Sequence, residues 1–198
     1  MKYLYTIVLC ALLAFDGLAQ DDEEKGGRPG LIGGWNYSSI GIKNSDQTAD
    51  YTNGFYLGIL WEERFAKVFR IQSGLKYVKN GWAYNSNDLG NRDKTILNYV
   101  SLPVTAKLKI GPIYALGGVY GSYRAGSKTT YTDGTSDKKI STDDIKRYDF
   151  GGQLGLGFQI AIIGVEARYN WGFTDISADN AIGYNNRYLE LGLHLHLR

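Results

Sequence analysis

Polar and apolar residues alternate along most of this chain with a period of two. The clearest stretch is YDFGGQLGLGFQIAI (148–162), where seven apolar or aromatic side chains share one face and mainly glycine and glutamine occupy the other. The segment 188–198 repeats this arrangement, with leucine at every odd position from 189 to 197. A period of two is the repeat of a β-strand whose two faces differ chemically. The pattern therefore predicts an all-β protein.

Eight segments carry this pattern and are predicted to be strands. Each is about long enough to cross a bilayer, since a tilted strand needs roughly 9–11 residues to do so. Alternation is poor in the first segment, and the fifth leaves its facing ambiguous. The predicted strands are 31–42, 54–62, 68–78, 96–110, 113–124, 148–162, 165–173 and 188–198.

The connections between these strands alternate strictly between short and long. The short ones lie near 63–66, 111–112 and 163–164, and the long, polar ones are 43–53, 79–94, 125–147 and 174–186. All the long connections therefore emerge at one end, and both termini lie at the other. This is the layout of an outer-membrane barrel with short periplasmic turns and long extracellular loops. The prediction is an eight-stranded antiparallel up-and-down transmembrane β-barrel over residues 31–198.

The composition of the polar faces decides which face is inside. A soluble barrel of the lipocalin type would show water a face dense in Lys and Glu. Here the polar faces are mostly Gly, Gln, Asn, Ser and Thr, which suit a crowded lumen, and the chain has 26 Gly and 16 Tyr but only 3 Pro. Aromatic residues also gather where strands meet the long connections, as in the aromatic girdle of a membrane barrel. The predicted girdle residues are Tyr77, Tyr148, Phe150, Tyr169, Trp171, Phe173 and Tyr188.

The N-terminus reads as a secretory signal peptide. Lys2 precedes an apolar stretch too short to span a bilayer, and Gly17-Leu18-Ala19 has the small-x-small pattern of a cleavage site. We predict a signal peptide over residues 1–19, cleavage after Ala19, and a flexible periplasmic lead-in over 20–30. The mature chain would then contain no cysteine, because Cys10 lies in the signal. The predicted location is the outer membrane of a Gram-negative bacterium.

Several charged residues fall on the polar faces and are expected to point into the lumen. An eight-stranded barrel is just wide enough for side chains to fill, so we interpret these groups as a mutually paired plug. A selectivity lining or an acid–base site remains an alternative. The predicted lumen residues are Glu62, Arg70, Lys76, Lys107, Glu166, Arg168, Glu190, His194 and His196.

His194-x-His196 is the spacing closest to that of a metal site, since both imidazoles project from one face of a strand. No third His and no nearby Cys completes it, so lumen packing is favoured. We predict no catalytic residue, metal site or cofactor. Four aspartates in the longest connection leave open a weak divalent-ion site: Asp133, Asp137, Asp143 and Asp144.

The segment NYVSLPVTAKLKI (98–110) resembles the aromatic-x-x-x-Pro-apolar-x-x-Lys strand of the PorT-like outer-membrane β-barrel family of Bacteroidota. GPIYALGGVYGSY, DFGGQLGLGFQI and VEARYNWGFTDI are similar to its middle and late strands. The resemblance implies an eight-stranded barrel inserted by the general barrel-assembly machinery, with no catalytic residues. Two features depart from the expected pattern. The chain finishes on Leu197-Arg198 rather than an aromatic residue, and Pro103 lies within a strand, where we expect a bulge.

The charges nearly cancel, with 22 Lys and Arg against 20 Asp and Glu, so no nucleic-acid partner is predicted. We predict a monomeric, non-enzymatic surface barrel with a filled lumen, which acts through its long loops as a structural, adhesive or partner-binding protein. Its partners would be outer-membrane lipid, the barrel-assembly machinery, and an extracellular or envelope protein. The alternatives are an accessory barrel of a secretion or envelope-assembly system, a small-solute pore, and an enzyme at the outer rim.

Overall fold

The computed structural model describes residues 27–42, 50–86, 91–130, 146–176 and 184–197. In these ranges eight antiparallel strands pair in chain order, and β1 pairs with β8 to close a barrel. The predicted eight-stranded up-and-down barrel is therefore confirmed. The strands are β1 (Arg28–Ile42), β2 (Asp50–Arg64), β3 (Phe69–Ser86), β4 (Asn91–Ile110), β5 (Ile113–Thr130), β6 (Tyr148–Ile160), β7 (Ile163–Gly172) and β8 (Tyr184–His196).

Some sequence predictions fall on parts of the chain that the structure does not describe. The predicted signal peptide (1–19), residues 20–26 of the lead-in and the four loop aspartates lie outside the described residues. The predicted end of the lead-in at residue 30 is wrong. β1 begins at Arg28, so residues 28–30 belong to the barrel. Among the described residues, no helix is long and apolar enough to cross a membrane.

The two ends of the barrel differ in their connections. The end that we call the short-turn end has tight connections at 65–68, 111–112 and 161–162, and the last of these precedes the predicted position by two residues. Gly111 and Ala161 adopt positive φ values of 60° and 51° in the two-residue turns. The opposite end, which we call the long-loop end, carries the remaining connections. The connections at this end join strand ends across 43–49, 87–90, 131–147 and 173–183, so three of them are long as predicted. The connection after β3, predicted over 79–94, contains only four residues because both neighbouring strands extend into it.

The strands on one side of the barrel are longer than predicted at the long-loop end. β4 contains 20 residues, and β3 and β5 contain 18 each. The prediction assigns residues 79–94 to a long, polar connection, yet residues 79–86 pair residue for residue with 91–98. Backbone pairing needs no apolar face once a strand leaves the membrane. At roughly 3.4 Å per residue and a 45° tilt, β4 rises about 48 Å, well beyond the ~30 Å hydrocarbon core.

The expectation of a bulge at Pro103 is wrong. β4 and β5 stay in one register through Pro103, which lies opposite Tyr120. Towards β3, the pairs Ser73–Val104 and Lys76–Ser101 keep the same register on both sides of the proline. The missing N–H of proline is thus accommodated without an inserted residue. The irregularity of the β4–β5 ladder lies instead between Asn98 and Tyr99.

Inward-facing glycines make room for large side chains from other strands. A Cβ atom added to Gly157 would lie 2.1 Å from Cζ of Tyr114, and one added to Gly192 would lie 2.1 Å from the hydroxyl oxygen of Tyr56. Both tyrosines are almost fully buried. Gly157 of the inner face of β6 and Gly192 of β8 therefore accommodate tyrosine side chains from β5 and β2.

We expect Gly157→Ala to destabilise the barrel by about 1–3 kcal/mol, the usual cost of overpacking a close-packed interior. The new methyl group must displace the Tyr114 ring, which also donates a hydrogen bond to Glu166. Gly121 is the matched control, because nothing lies within 4 Å of the added Cβ position. Urea titration of both variants refolded into lipid vesicles measures the difference. Equal stability of the two variants would contradict this packing.

Candidate functional site

The outer wall of the barrel is an exposed apolar surface. Leu57, Leu156 and Ile160 are each more than half exposed, and many further aliphatic side chains on every strand are also exposed. Soluble monomers rarely expose apolar patches beyond a few hundred Å². On β8, Leu191 and Leu193 are exposed while the residues between and beside them point inward. The facing predicted from the alternation is therefore confirmed.

Six of the seven predicted girdle residues point outward, and several contact one another near the long-loop end. Ring centroids lie 5.3 Å apart for Tyr123 and Tyr148, and 5.9 Å apart for Phe150 and Phe173. The outward-facing members are Tyr77, Tyr148, Phe150, Tyr169, Trp171 and Phe173. Four further outward aromatics, which the predicted girdle omitted, extend the band across β1 and β2: Trp35, Tyr37, Tyr51 and Phe55.

The assignment of Tyr188 to the girdle is wrong. Its side chain is only 3% exposed and lies inside the barrel, with its ring centroid 5.9 Å from that of Tyr120. The reason is parity, because Tyr188 shares its face of β8 with Glu190, whose side chain is also buried. Tyr188 belongs to an internal apolar cluster at mid-height in the barrel: Ile32, Tyr56, Leu60, Val78, Tyr120 and Tyr188.

All nine predicted lumen residues lie inside the barrel. Eight are at most 5% exposed, and Arg70 is half-buried. Their side chains fall into three ion-pair groups at successive heights, and each group joins strands that are not neighbours in the sheet or that lie far apart in sequence. From the short-turn end upward, the groups centre on Glu62, on Glu166 with Arg168, and on Lys76 with Glu190.

The first group centres on Glu62. One carboxylate oxygen accepts a hydrogen bond from Nη1 of Arg70 at 2.6 Å, and the other accepts one from Nζ of Lys107 at 2.6 Å. Nε2 of His196 lies 3.3 Å from the second oxygen. Glu62 therefore compensates two cations from β3 and β4, and Lys107 has no contact with solvent.

The second group pairs Glu166 with Arg168 on β7. Nε of Arg168 donates to Oε1 of Glu166 at 2.5 Å, and the Tyr114 hydroxyl donates to Oε2 at 2.9 Å. Arg168 also donates across the lumen to Gln72. Nδ1 of His194 lies 3.6 Å from Glu166 and its ring stands 4.8 Å, edge to face, from that of His196. This group joins the first group through the two histidines.

The third group is the pair of Lys76 and Glu190. Nζ of Lys76 donates to both carboxylate oxygens at 2.8 Å, and both side chains are almost completely excluded from solvent. The ammonium also lies 5.2 Å from the centroid of the Tyr56 ring. Since β3 and β8 are separated by β1 and β2, this pair crosses the interior of the barrel.

Above these groups, towards the long-loop end, the interior mixes polar and apolar side chains. Asp149 accepts hydrogen bonds from Asn186 at 2.8 Å and from Tyr120 at 3.3 Å. Above it lies a buried cluster to which Ile176, in the connection after β7, contributes a side chain that is 1% exposed. Its members are Ile40, Trp82, Leu97, Tyr99 and Ile176.

The charged side chains of this interior mainly compensate one another. Within the described ranges, no group of three or more His, Cys, Asp or Glu side chains is placed to hold a metal ion. Glu62, Glu166 and Glu190 each pair with a cation, and amide and hydroxyl groups supply further hydrogen bonds. Sequence reasoning missed several of these partners although they share the lumen parity of the charged residues: Gln72, Tyr114, Tyr120, Asp149 and Gln153.

Comparison with known proteins places the chain among outer-membrane barrels. Neisserial surface protein A shares 14% identity over 87% of this chain and 100% of its own, with a TM-score of 0.57. Ail, the attachment invasion locus protein of Yersinia pestis, in complex with the heparin analogue sucrose octasulfate, shares 16% identity over 86% of this chain and 99% of its own, with a TM-score of 0.50. These likenesses show the fold. No curated protein matches the chain.

The family model described as "Outer membrane protein beta-barrel domain" matches residues 18–178, which is most of the chain. This agrees with the closed eight-stranded barrel and its exposed apolar wall. The chain belongs to the outer membrane protein beta-barrel domain family.

Proposed function

We propose that this protein is a non-enzymatic, monomeric surface barrel whose lumen is closed by its own side chains and whose activity resides at the long-loop end. The observation that carries the proposal is the stack of three ion-pair groups across the lumen. Glu62, Glu166 and Glu190 each engage a cation with little or no access to solvent. In a conducting pore, such groups would line a water path rather than occupy it.

The orientation follows from the general layout of outer-membrane barrels, in which short turns face the periplasm and longer connections face outward. On this basis the long-loop end is extracellular. The tall wall of β3, β4 and β5 then projects beyond the membrane, and the apolar cluster with Ile176 lies beneath the outer mouth. The side chains that would meet a structural, adhesive or envelope partner lie at this end.

The family and the fold are compatible with adhesion. The structure of Ail that resembles this one contains a heparin analogue, and Ail is described as an attachment invasion locus protein. At 16% identity, this likeness supports a general surface-binding role for the present chain but does not identify what it binds. The signal peptide with cleavage after Ala19 and insertion by the barrel-assembly machinery belong to the same proposal.

A second candidate is an accessory barrel of a secretion or envelope-assembly system, which the PorT-like sequence of β4 supports. Deletion of the gene would then abolish secretion of envelope cargo, and the protein would co-purify with other envelope components. A rim enzyme is disfavoured, because both histidines lie towards the short-turn end, away from the outer rim where such sites occur in barrels.

Single-channel recording tests the closed lumen directly. We expect the mature chain, refolded in detergent and inserted into a planar bilayer, to give no stepwise openings, because paired side chains fill the interior. A porin handled in the same way is the positive control, and the shift in gel mobility on heating verifies that the barrel is folded. Steady, reproducible openings would mean that the protein is a small-solute pore and that the inward charges form its selectivity site.

A further inference from the structure

The short-turn end of the lumen carries more positive than negative charge. Four cationic side chains converge there from β1, β3 and β4, and we call them the basic mouth: Arg28, Arg70, Lys107 and Lys109. Among the described residues that face this opening, Glu62 is the carboxylate that balances them. Arg28 lies opposite Glu62 in the β1–β2 register, and Arg70 lies opposite Lys107 in the β3–β4 register.

The partners of these cations leave part of their charge uncompensated. Both oxygens of Glu62 are already occupied by Arg70 and Lys107. Lys109 donates to an uncharged group, the amide oxygen of Gln159, at 2.9 Å. Nε of Arg70 has no hydrogen-bond acceptor in the part of the chain that the structure describes.

The cations also act on one another. Arg70, Lys107 and Arg28 all repel the ammonium of Lys109 electrostatically, whereas Glu62 attracts it. Lys107 is sealed inside, whereas Arg28 is exposed and Arg70 and Lys109 are half-buried. An anionic group arriving from the short-turn end can therefore reach three of the four cations.

The same chain supplies an anionic segment immediately before β1. Residues 21–24 read DDEE, and only Lys25, Gly26 and Gly27 separate them from Arg28. An extended chain spans about 3.3–3.6 Å per residue, so Glu24 can lie up to about 14 Å from Arg28. Strands are spaced about 4.8 Å apart, so the wall from β1 to β4 measures about 14 Å, and the path across the lumen is shorter.

We propose that the acidic segment at residues 21–24 binds the basic mouth of its own barrel. Four carboxylates would meet three accessible cations of the basic mouth, where Glu62 is already engaged by Arg70 and Lys107. The linker is short enough to hold the segment and the mouth at high effective concentration. The expected result is a segment anchored at the short-turn opening by contacts with Arg28, Arg70 and Lys109.

Distances between spin labels test this proposal, using the chain that begins at residue 20 so that labels attach only where cysteines are introduced. One label is placed at Gln20→Cys and the second at Ala66→Cys, in the turn between β2 and β3; a second pair uses Ile162→Cys. In zwitterionic micelles at low salt we expect a narrow distance distribution for each pair. The narrow peak is lost in about 1 M salt, where the Debye length is ~3 Å.

Substitutions locate the contact. D21N/D22N/E23Q/E24Q and, separately, R70Q/K109Q should each abolish the narrow peak at low salt. Glu63→Gln, a carboxylate outside the segment, and Lys79→Gln, a cation beyond mid-height on the outer wall, should leave it unchanged. The four-amide variant alters only the lead-in, so a folded barrel is retained and gel mobility verifies it.

Results of two kinds would overturn the proposal. One is a broad distribution in the unsubstituted chain at low salt, or an unchanged narrow one in the four-amide variant. The other is a peak that is narrow in zwitterionic micelles but lost in nanodiscs of anionic phospholipid. That result would assign the basic mouth to lipid phosphate groups rather than to residues 21–24.

Discussion

Lys76→Met is expected to lower the free energy of unfolding by about 3–5 kcal/mol, the usual cost of removing one partner of a buried ion pair. The substitution leaves the carboxylate of Glu190, which has no contact with solvent, without its two hydrogen bonds from Nζ of Lys76. Methionine fills nearly the same volume, so packing alone would lose little. Urea titration in lipid vesicles, followed by tryptophan fluorescence, measures the effect.

Two further variants identify the cause. In K76M/E190Q no charge is left unpaired, so we expect most of the lost stability to return, because the pair as a whole contributes far less than the cost of breaking it. Lys79→Met is the matched control on the same strand, since Lys79 lies on the outer wall above the Phe55 ring. It should change stability by no more than about 0.5 kcal/mol. A K76M effect no larger than that of K79M would contradict the burial of this pair.

Glu62→Gln is expected to have a comparable or larger effect, about 3–5 kcal/mol, because one carboxylate compensates two cations. The amide keeps the shape of the side chain but removes the charge that Arg70 and Lys107 both bind at 2.6 Å. Glu63→Gln is the adjacent control. The temperature at which the folded band disappears in a gel-mobility assay compares the two variants.

The two cations should not be equivalent in a rescue experiment. Lys107 has no exposed side-chain surface, whereas 14% of the Arg70 side chain is exposed. E62Q/K107M should therefore recover most of the lost stability, because it removes the cation that solvent cannot reach. E62Q/R70M should recover little. Equal rescue by the two double variants would show that water reaches Lys107 and that the lumen is hydrated at this level.

The period of two in the sequence was sufficient to predict the number of strands, their order and most of their facings. Alternation is a local property, since each side chain points to the opposite face from its neighbours whatever the rest of the chain does. The wrong assignment of Tyr188 illustrates the same rule. Its parity with Glu190 places it inside, and assigning it to the girdle by residue type ignored that parity.

How far each strand extends depends on pairing with the neighbouring strand rather than on alternation in its own sequence. Residues 79–86 show no alternation, yet they continue β3 because 91–98 of β4 lie beside them. The first strand alternates poorly for a related reason, because its inner face mixes Ile32 and Ile40 with Asn36 and Ser38. Closure of the barrel by β1 and β8 supplies the pairing that the pattern of β1 alone did not indicate.

The sequence by itself determined an eight-stranded membrane barrel with polar groups inside, because the period of each strand and the positions of most connections can be read directly from the chain. Only the tertiary structure decided which charges meet. Lys76 and Glu190 are 114 residues apart, and Lys107 reaches Glu62 across 45. Such contacts depend on register and on the closure of the sheet, which place strands remote in sequence at the same height in one narrow interior. The physical reason is that parity fixes direction, whereas height and neighbours are set by the barrel as a whole.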